Sequence, residues 1–181
     1  MPRRALLAVL LVAASAGACS GGPDPAPAGE RAPEGMRVTS PAIADGRPVP
    51  ERYSCEGENV PPPLRWSGTP PGTAQLAVVV EDPDAPDGSF VHWLVVGIDP
   101  ATTALSGDRL PPGATVLEGS SDNPTYIGPC PPDGDGAHRY FFDVYALRSA
   151  GPVAGADPVE RVRAIRRAAV AGGRLTGTFA R

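Results

Sequence analysis

Residues 76–80 read Leu76-Ala77-Val78-Val79-Val80, an unbroken apolar run with three valines in a row. Residues 90–98 and 140–147 form two further apolar runs, the last rich in aromatics. Each is short, β-branched or aromatic, and bounded by proline and glycine, which is how a strand buried on both faces reads. A convincing helix pattern follows near the C-terminus. Asp157 suits an N-cap, Pro158 the first helical position, and Val159, Val162, Ile165 and Ala169 recur at helical spacing. Arg161, Arg163, Arg166 and Arg167 fall mostly on the remaining surface, and Gly172 and Gly173 are placed to stop the helix. The predicted fold class is therefore mainly β, with one or two peripheral helices covering a β core.

The N-terminus is of a different kind. Met1, Pro2, Arg3 and Arg4 precede an apolar stretch over residues 5–14, then Ser15-Ala16-Gly17-Ala18-Cys19. A basic start, a short apolar segment and small residues before a cleavage point define a secretory signal peptide. The stretch is well below the roughly 20 residues that span a bilayer. Ala16-Gly17-Ala18-Cys19 also resembles a bacterial lipobox, which assigns residues 1–18 to the signal and Cys19 to lipidation. Several acyl chains would then hold the protein to the extracytoplasmic face of the cell membrane. Residues 19–35, rich in Gly, Pro and Ala, lack apolar periodicity and read as a disordered tether. Residues 36–181 amount to one domain, long enough to bury a core unaided.

Composition narrows the partners. The 16 basic residues are all arginine; removing Arg3 and Arg4 with the signal leaves 14 against 20 acids, a net charge of −6. Such a domain, without basic runs, is not built for nucleic acid or for electrostatic adhesion to anionic membranes. With Cys19 given to lipid, Cys55 and Cys130 remain. An even pair in an exported protein reads as a disulfide, the alternative being two buried free thiols.

The chain has only two histidines, and both stand near the start of a strand after a turn-rich loop. Asp82-Pro83-Asp84-Ala85-Pro86-Asp87-Gly88 precedes His92; Gly128-Pro129-Cys130-Pro131-Pro132-Asp133-Gly134-Asp135-Gly136 precedes His138. Strict alternation puts His92, Leu94 and Val96 on one face, and His138 with Tyr140 on another, with Arg139 turned away. Each histidine read alone is a structural cap on a backbone group, and Asp82 to Pro86 alone is a tight turn. Read together, they form a shared pocket in which Asp82 orients an imidazole and favours its cation. Two histidines and an aspartate lack any standard metal spacing, so neither metal nor cofactor is expected.

Asp82-Pro83-Asp84-Ala85-Pro86 followed by His92-Trp93, and Gly128-Pro129-Cys130-Pro131-Pro132 followed by Gly136, His138-Arg139-Tyr140 and Tyr145-Ala146-Leu147, resemble the two signatures of phosphatidylethanolamine-binding proteins. Ser40-Pro41-Ala42, Tyr53 to Asn59, Pro62-Pro63-Leu64-Arg65-Trp66 and Gly173 to Phe179 are similar to its bacterial, Raf-kinase-inhibitor-like branch. The resemblance implies a large central antiparallel sheet, a smaller sheet and a helix near the C-terminus. It implies an anion pocket for phosphate, acetate or a phospholipid headgroup, made by Asp82, His92, Gly128, His138 and Tyr140, with Pro83, Asp84 and Pro86 as wall. Residues 119–126 depart from the branch pattern, which bears on the pocket rim. No nucleophile motif accompanies the histidines, so the expected role is binding without catalysis. The alternatives are an inhibitor of an extracytoplasmic hydrolase acting by protein contact, and a hydrolase using His and Asp.

Overall fold

The computed structural model describes residues 34–107 and 109–181. The signal peptide and Cys19 lie outside the described residues. The larger sheet has six strands in the order β2-β9-β8-β4-β5-β7. These are β2 (Arg47–Pro48), β4 (Gln75–Asp82), β5 (Phe90–Ile98), β7 (Thr115–Leu117), β8 (His138–Leu147) and β9 (Ala169–Phe179). All neighbours are antiparallel except β2 and β9. A smaller sheet, ordered β1-β3-β6, joins β1 (Arg37–Thr39), β3 (Leu64–Ser67) and β6 (Ala104–Leu105). Helix α1 spans Pro158–Ala168.

The three apolar runs become the three central strands, β8, β4 and β5, and every residue of β4 is buried. A strand with both faces covered has no solvent side on which alternation could show. One face, through Leu76, Val78, Val80, Phe142 and Val144, packs on Val38, Leu64, Trp66 and Leu105 of the smaller sheet. The other, through Ala77, Val79, Leu94, Tyr145 and Leu147, packs on Val162 and Ile165 of α1.

The helix starts as its sequence predicts: the Asp157 side chain accepts from the Glu160 N–H at 2.8 Å, with Pro158 in the first turn. Its end differs. Ala169 already turns into β9, and Gly172 and Gly173 lie inside that strand instead of terminating the helix. Their role is close approach. Gly172 accepts from the Met36 N–H at 3.1 Å, and a Cβ on Gly173 would stand 2.4 Å from the Met36 carbonyl oxygen. The chain leading into β1 thus lies against β9 where only glycine leaves room.

Arg166 also departs from the surface pattern. It is buried and pairs with Glu81 of β4, while its Nε donates to the Tyr145 hydroxyl at 3.0 Å. Tyr145 donates to Asp143 at 2.7 Å, and Asp143 accepts two bonds of 2.7 Å from Arg174. The Arg174 guanidinium stacks over Phe141 at 3.7 Å. A buried guanidinium is tolerated only when paired and hydrogen-bonded, and this network meets that condition.

Cys55 and Cys130 form the expected disulfide, with Cα atoms 5.5 Å apart across a sequence separation of 75.

Candidate functional site

Asp82 ends β4 and His138 begins β8 on the neighbouring strand, on the face that packs against the smaller sheet. The His138 Nδ1 and Asp82 Oδ2 lie 2.8 Å apart, both side chains 5% exposed. The other Asp82 oxygen accepts from the Asp84 N–H at 2.8 Å, closing the turn formed by the Asp-Pro-Asp sequence. Asp82 therefore sits behind the imidazole, each of its oxygens holding one partner. The turn itself is held from β8: Arg139 donates to Asp84 from its backbone N–H at 2.9 Å, from Nε at 2.8 Å and from Nη2 at 2.6 Å. Arg139 does leave the sheet on the opposite face from His138. It nonetheless reaches round to clamp the Asp82–Pro86 turn, a contact that alternation does not show. Its guanidinium holds the Asp84 carboxyl below the usual carboxylate range. Pro83 and Asp84 are half-buried and Pro86 is exposed along this turn.

His92 reaches the cluster by an irregularity that alternation does not anticipate. Val80 pairs with Trp93 and Glu81 with Val91, so His92 is the extra residue of a β-bulge in β5. A bulge puts two successive side chains where regular pleating allows one. Leu94 and Val96 face the helix side, whereas the His92 ring stands edge-on to Tyr140, centroids 5.3 Å apart, and 4.7 Å from Phe90. Ile127 holds the bulged residue at both its backbone and its ring: the Ile127 N–H donates to the His92 carbonyl at 3.1 Å, and the Ile127 carbonyl accepts from His92 Nδ1 at 2.8 Å.

Gly128 is a packing residue of the wall. Its N–H donates to Asn59 Oδ1 at 2.7 Å and is thereby withdrawn from any anion. A Cβ there would lie 2.3 Å from the Tyr53 carbonyl oxygen and 2.7 Å from Ser54 Cα. Gly128→Ala should therefore shift the wall and cost about 1–3 kcal/mol, as over-packing does. A thermal unfolding curve matching that of the parent protein would show that the contact relaxes freely.

The departing segment, residues 119–126, edges β5 beside the bulge. Ser120 accepts from the Val91 N–H through its Oγ and donates its N–H to the Val91 carbonyl, each at 2.9 Å. Tyr126 is core, its hydroxyl donating to the Tyr53 carbonyl at 2.8 Å and its ring edge-on to Trp93.

The two histidines titrate in opposite directions. Burial pushes His92 down, against the opposing carbonyls of Ile127 and Gly128 and the charge of Asp82. Neutral His92 keeps its proton on Nδ1, facing Ile127, and offers Nε2 as an acceptor. His138 is also penalised by burial. The hydrogen bonds and charges of Asp82 and Asp135 outweigh that penalty, so its pKa rises. The stability His138 contributes is complete below its unfolded value, near 6.5, and is lost as pH rises through the raised folded value. That of His92 is present above the unfolded value and lost as pH falls through its depressed one.

Tyr140, edge-on to His92, is fully buried, its pKa raised by burial and then by Asp82. Its hydroxyl closes no hydrogen bond of good geometry with a described residue, although Asp82 and the Cys130 backbone are near enough to act on it. A buried hydroxyl without a well-formed hydrogen bond is unusual and costly, and points to an exchangeable partner. Among the described residues, no group of three or more His, Cys, Asp or Glu has the geometry to hold a metal ion.

The cluster is thus a buried polar group at the end of a sheet: a cation-favouring imidazole backed by a carboxylate, a neutral imidazole and a phenol without a well-formed hydrogen bond. Residues 39–180 match the family model described as phosphatidylethanolamine-binding protein, and the chain belongs to that family. It is 44% identical over 144 residues to the UPF0098 protein Rv1910c of Mycobacterium tuberculosis, covering 80% of this chain and 70% of that one. It is 45% identical over 160 residues to the "Putative lipoprotein LppC" of the same organism, covering 86% and 75%. The E. coli protein YbcL, whose structure is described as that of a new member of the mammalian family, superposes with a TM-score of 0.75. That protein is 33% identical, with 81% of this chain and 98% of the other covered.

Neither Asn59 nor Ile127 is assigned a role by sequence. Asn59 carries one signal, φ of 55°, a left-handed conformation in which asparagine is enriched. Ile127 acts through its backbone, which side-chain chemistry does not announce.

Proposed function

We propose that this domain is a non-enzymatic binding module that takes an anionic group, a phosphate, a carboxylate or a phospholipid headgroup, at His138, Tyr140 and His92. The observation carrying this reading is the buried Tyr140 hydroxyl, which closes no hydrogen bond of good geometry, in a cluster where Asp82 favours the His138 cation. His138 supplies the charge, Tyr140 a neutral donor, and His92 an acceptor for a ligand O–H or N–H. Asp82 acts through His138, since a bare carboxylate would repel an anion. The set pairs its histidines with no serine, threonine or cysteine, the arrangement that activates a hydroxyl or thiol for acyl transfer, which favours binding over hydrolysis. The likeness to LppC, together with the signal sequence ending in Cys19, supports a lipid-anchored, membrane-tethered form on the extracytoplasmic face. Among the described residues no helix is long and apolar enough to cross a membrane.

Acetate is the clean probe, because its carboxyl titrates well below any histidine. Its affinity, measured by calorimetry, should rise as pH falls through the His138 titration, which lies above the ordinary histidine value. Asp82→Asn should move that rise to lower pH, since an amide stabilises an imidazolium less than a carboxylate does. His138→Ala should cost about 1–3 kcal/mol of binding, the range for a hydrogen bond to a charged group. Acetate affinity that is flat from pH 5 to pH 9 and indifferent to His138→Ala would refute the reading.

A further inference from the structure

The outward nitrogen of His138 is already in use. While Nδ1 faces Asp82, Nε2 faces Asp135 Oδ2 at 3.4 Å. The two carboxylates differ in kind. Asp82 is buried at the end of a strand; the Asp135 side chain is half exposed and its contact is longer than a good hydrogen bond. Asp135 stands between Gly134 and Gly136, with φ of +80° and +89°, and a Cβ on either would have no atom within 4 Å. The base of this loop is fixed where its tip is open. Arg181 donates to the Pro131 carbonyl at 2.8 Å and pairs with Asp133 at 3.1 Å, and the Asp135 N–H donates to the Pro132 carbonyl at 3.2 Å.

We propose that Asp135 is the specificity-determining residue of the anion site, a tethered carboxylate that competes with the ligand for His138 Nε2 and is displaced when the ligand binds. This rests on the reading of the polar cluster as an anion site. The chemistry sets the consequence. A bare anion must break the Asp135 contact and then sit near an unpaired negative charge. An anion carrying its own amine breaks the same contact but gives Asp135 a new partner. The tethered carboxylate therefore discriminates against bare anions and tolerates zwitterions. The other groups facing His138 cannot take this role. Asp82 is locked behind the ring, Asp84 is held by Arg139, and His92 and Tyr140 carry no negative charge at neutral pH.

Asp135→Asn and Asp135→Ala, both at an exposed loop tip, test this without threatening the fold. Following the His138 ring signal by NMR, the titration midpoint should fall in both variants, because one of its two stabilising carboxylates is gone. Inorganic phosphate should then bind both variants roughly three- to tenfold more tightly than it binds the parent, the scale expected for losing one partly exposed ion pair and one repulsion. Phosphoethanolamine should gain less, or lose. An unchanged midpoint overturns the contact. Phosphate binding that shifts His138 in the parent but is no tighter in the variants, or an equal gain for both ligands, overturns the proposal and leaves the anion site standing. Phosphate binding to neither parent nor variants overturns both.

Discussion

Replacing Cys55 and Cys130 together by serine is expected to lower the free energy of unfolding by about 4 kcal/mol. The bridge spans a separation of 75 residues, and that is the chain entropy released to the unfolded state when so long a loop is opened. The loss is large against the roughly 5–15 kcal/mol that holds a domain of this kind together. It should fall on the polar cluster as well. Cys130 follows Pro129, whose carbonyl accepts from the Cys55 N–H at 3.1 Å, so the bridge ties the wall carrying Gly128 to the turn carrying Ser54. Urea unfolding of the double-serine variant, compared with the oxidised parent, measures the effect. A loss under about 1 kcal/mol would mean that the unfolded chain is little constrained by the link.

Asp143→Ala should be comparably damaging, by about 3–5 kcal/mol, the cost of leaving a buried charge without its partner. Asp143 is 1% exposed and accepts from Arg174 and Tyr145, with Arg166 3.5 Å away. Removing it takes away the acid that Arg174 pairs with and leaves Arg166 with Glu81. Asp143→Asn, which keeps the shape and loses the charge, should fall between the parent and the alanine variant. The pair Arg52–Glu58 supplies the control: both side chains are about 60% exposed, and Glu58→Ala should change stability by under about 1 kcal/mol. Equal effects of Glu58→Ala and Asp143→Ala in chemical denaturation would show that the interior network adds nothing beyond a surface pair.

The buried strands were legible because β4, β5 and β8 carry runs of Val, Leu and aromatics, whose burial on both faces needs no more than their composition to predict. The helix start was legible because Asp157 and Pro158 act locally. Its end was not, since Gly172 and Gly173 answer to Met36, which is remote in sequence. The same division runs through the site. Asp82, His92, His138 and Tyr140 could be named from their types and loop positions, and Asp82 and His138 prove adjacent across paired strands. The bulge at His92 could not, because it depends on how β4 registers against β5. The reach of Arg139 round to Asp84 was hidden for a related reason. Alternation describes where a side chain departs from a strand, whereas a guanidinium acts several ångströms further on.

The contact of Glu34 and Met36 with Gly172 sets a direction. Gly172 pairs with Tyr145, whereas the polar cluster is at the other end of the same ladder, where His138 pairs with Phe179. Seven residues of strand separate the two, about 24 Å. In the anchored form proposed above, the chain enters the domain at one pole and the polar cluster lies toward the other. The 16 residues from Cys19 to Glu34 can span at most about 55 Å. A domain leashed in this way and standing upright would hold its polar cluster out toward the surroundings, with its own bilayer behind it. To reach a headgroup in that bilayer it would have to tip over on its leash; to sample solutes or the face of a neighbouring protein it would not have to turn at all.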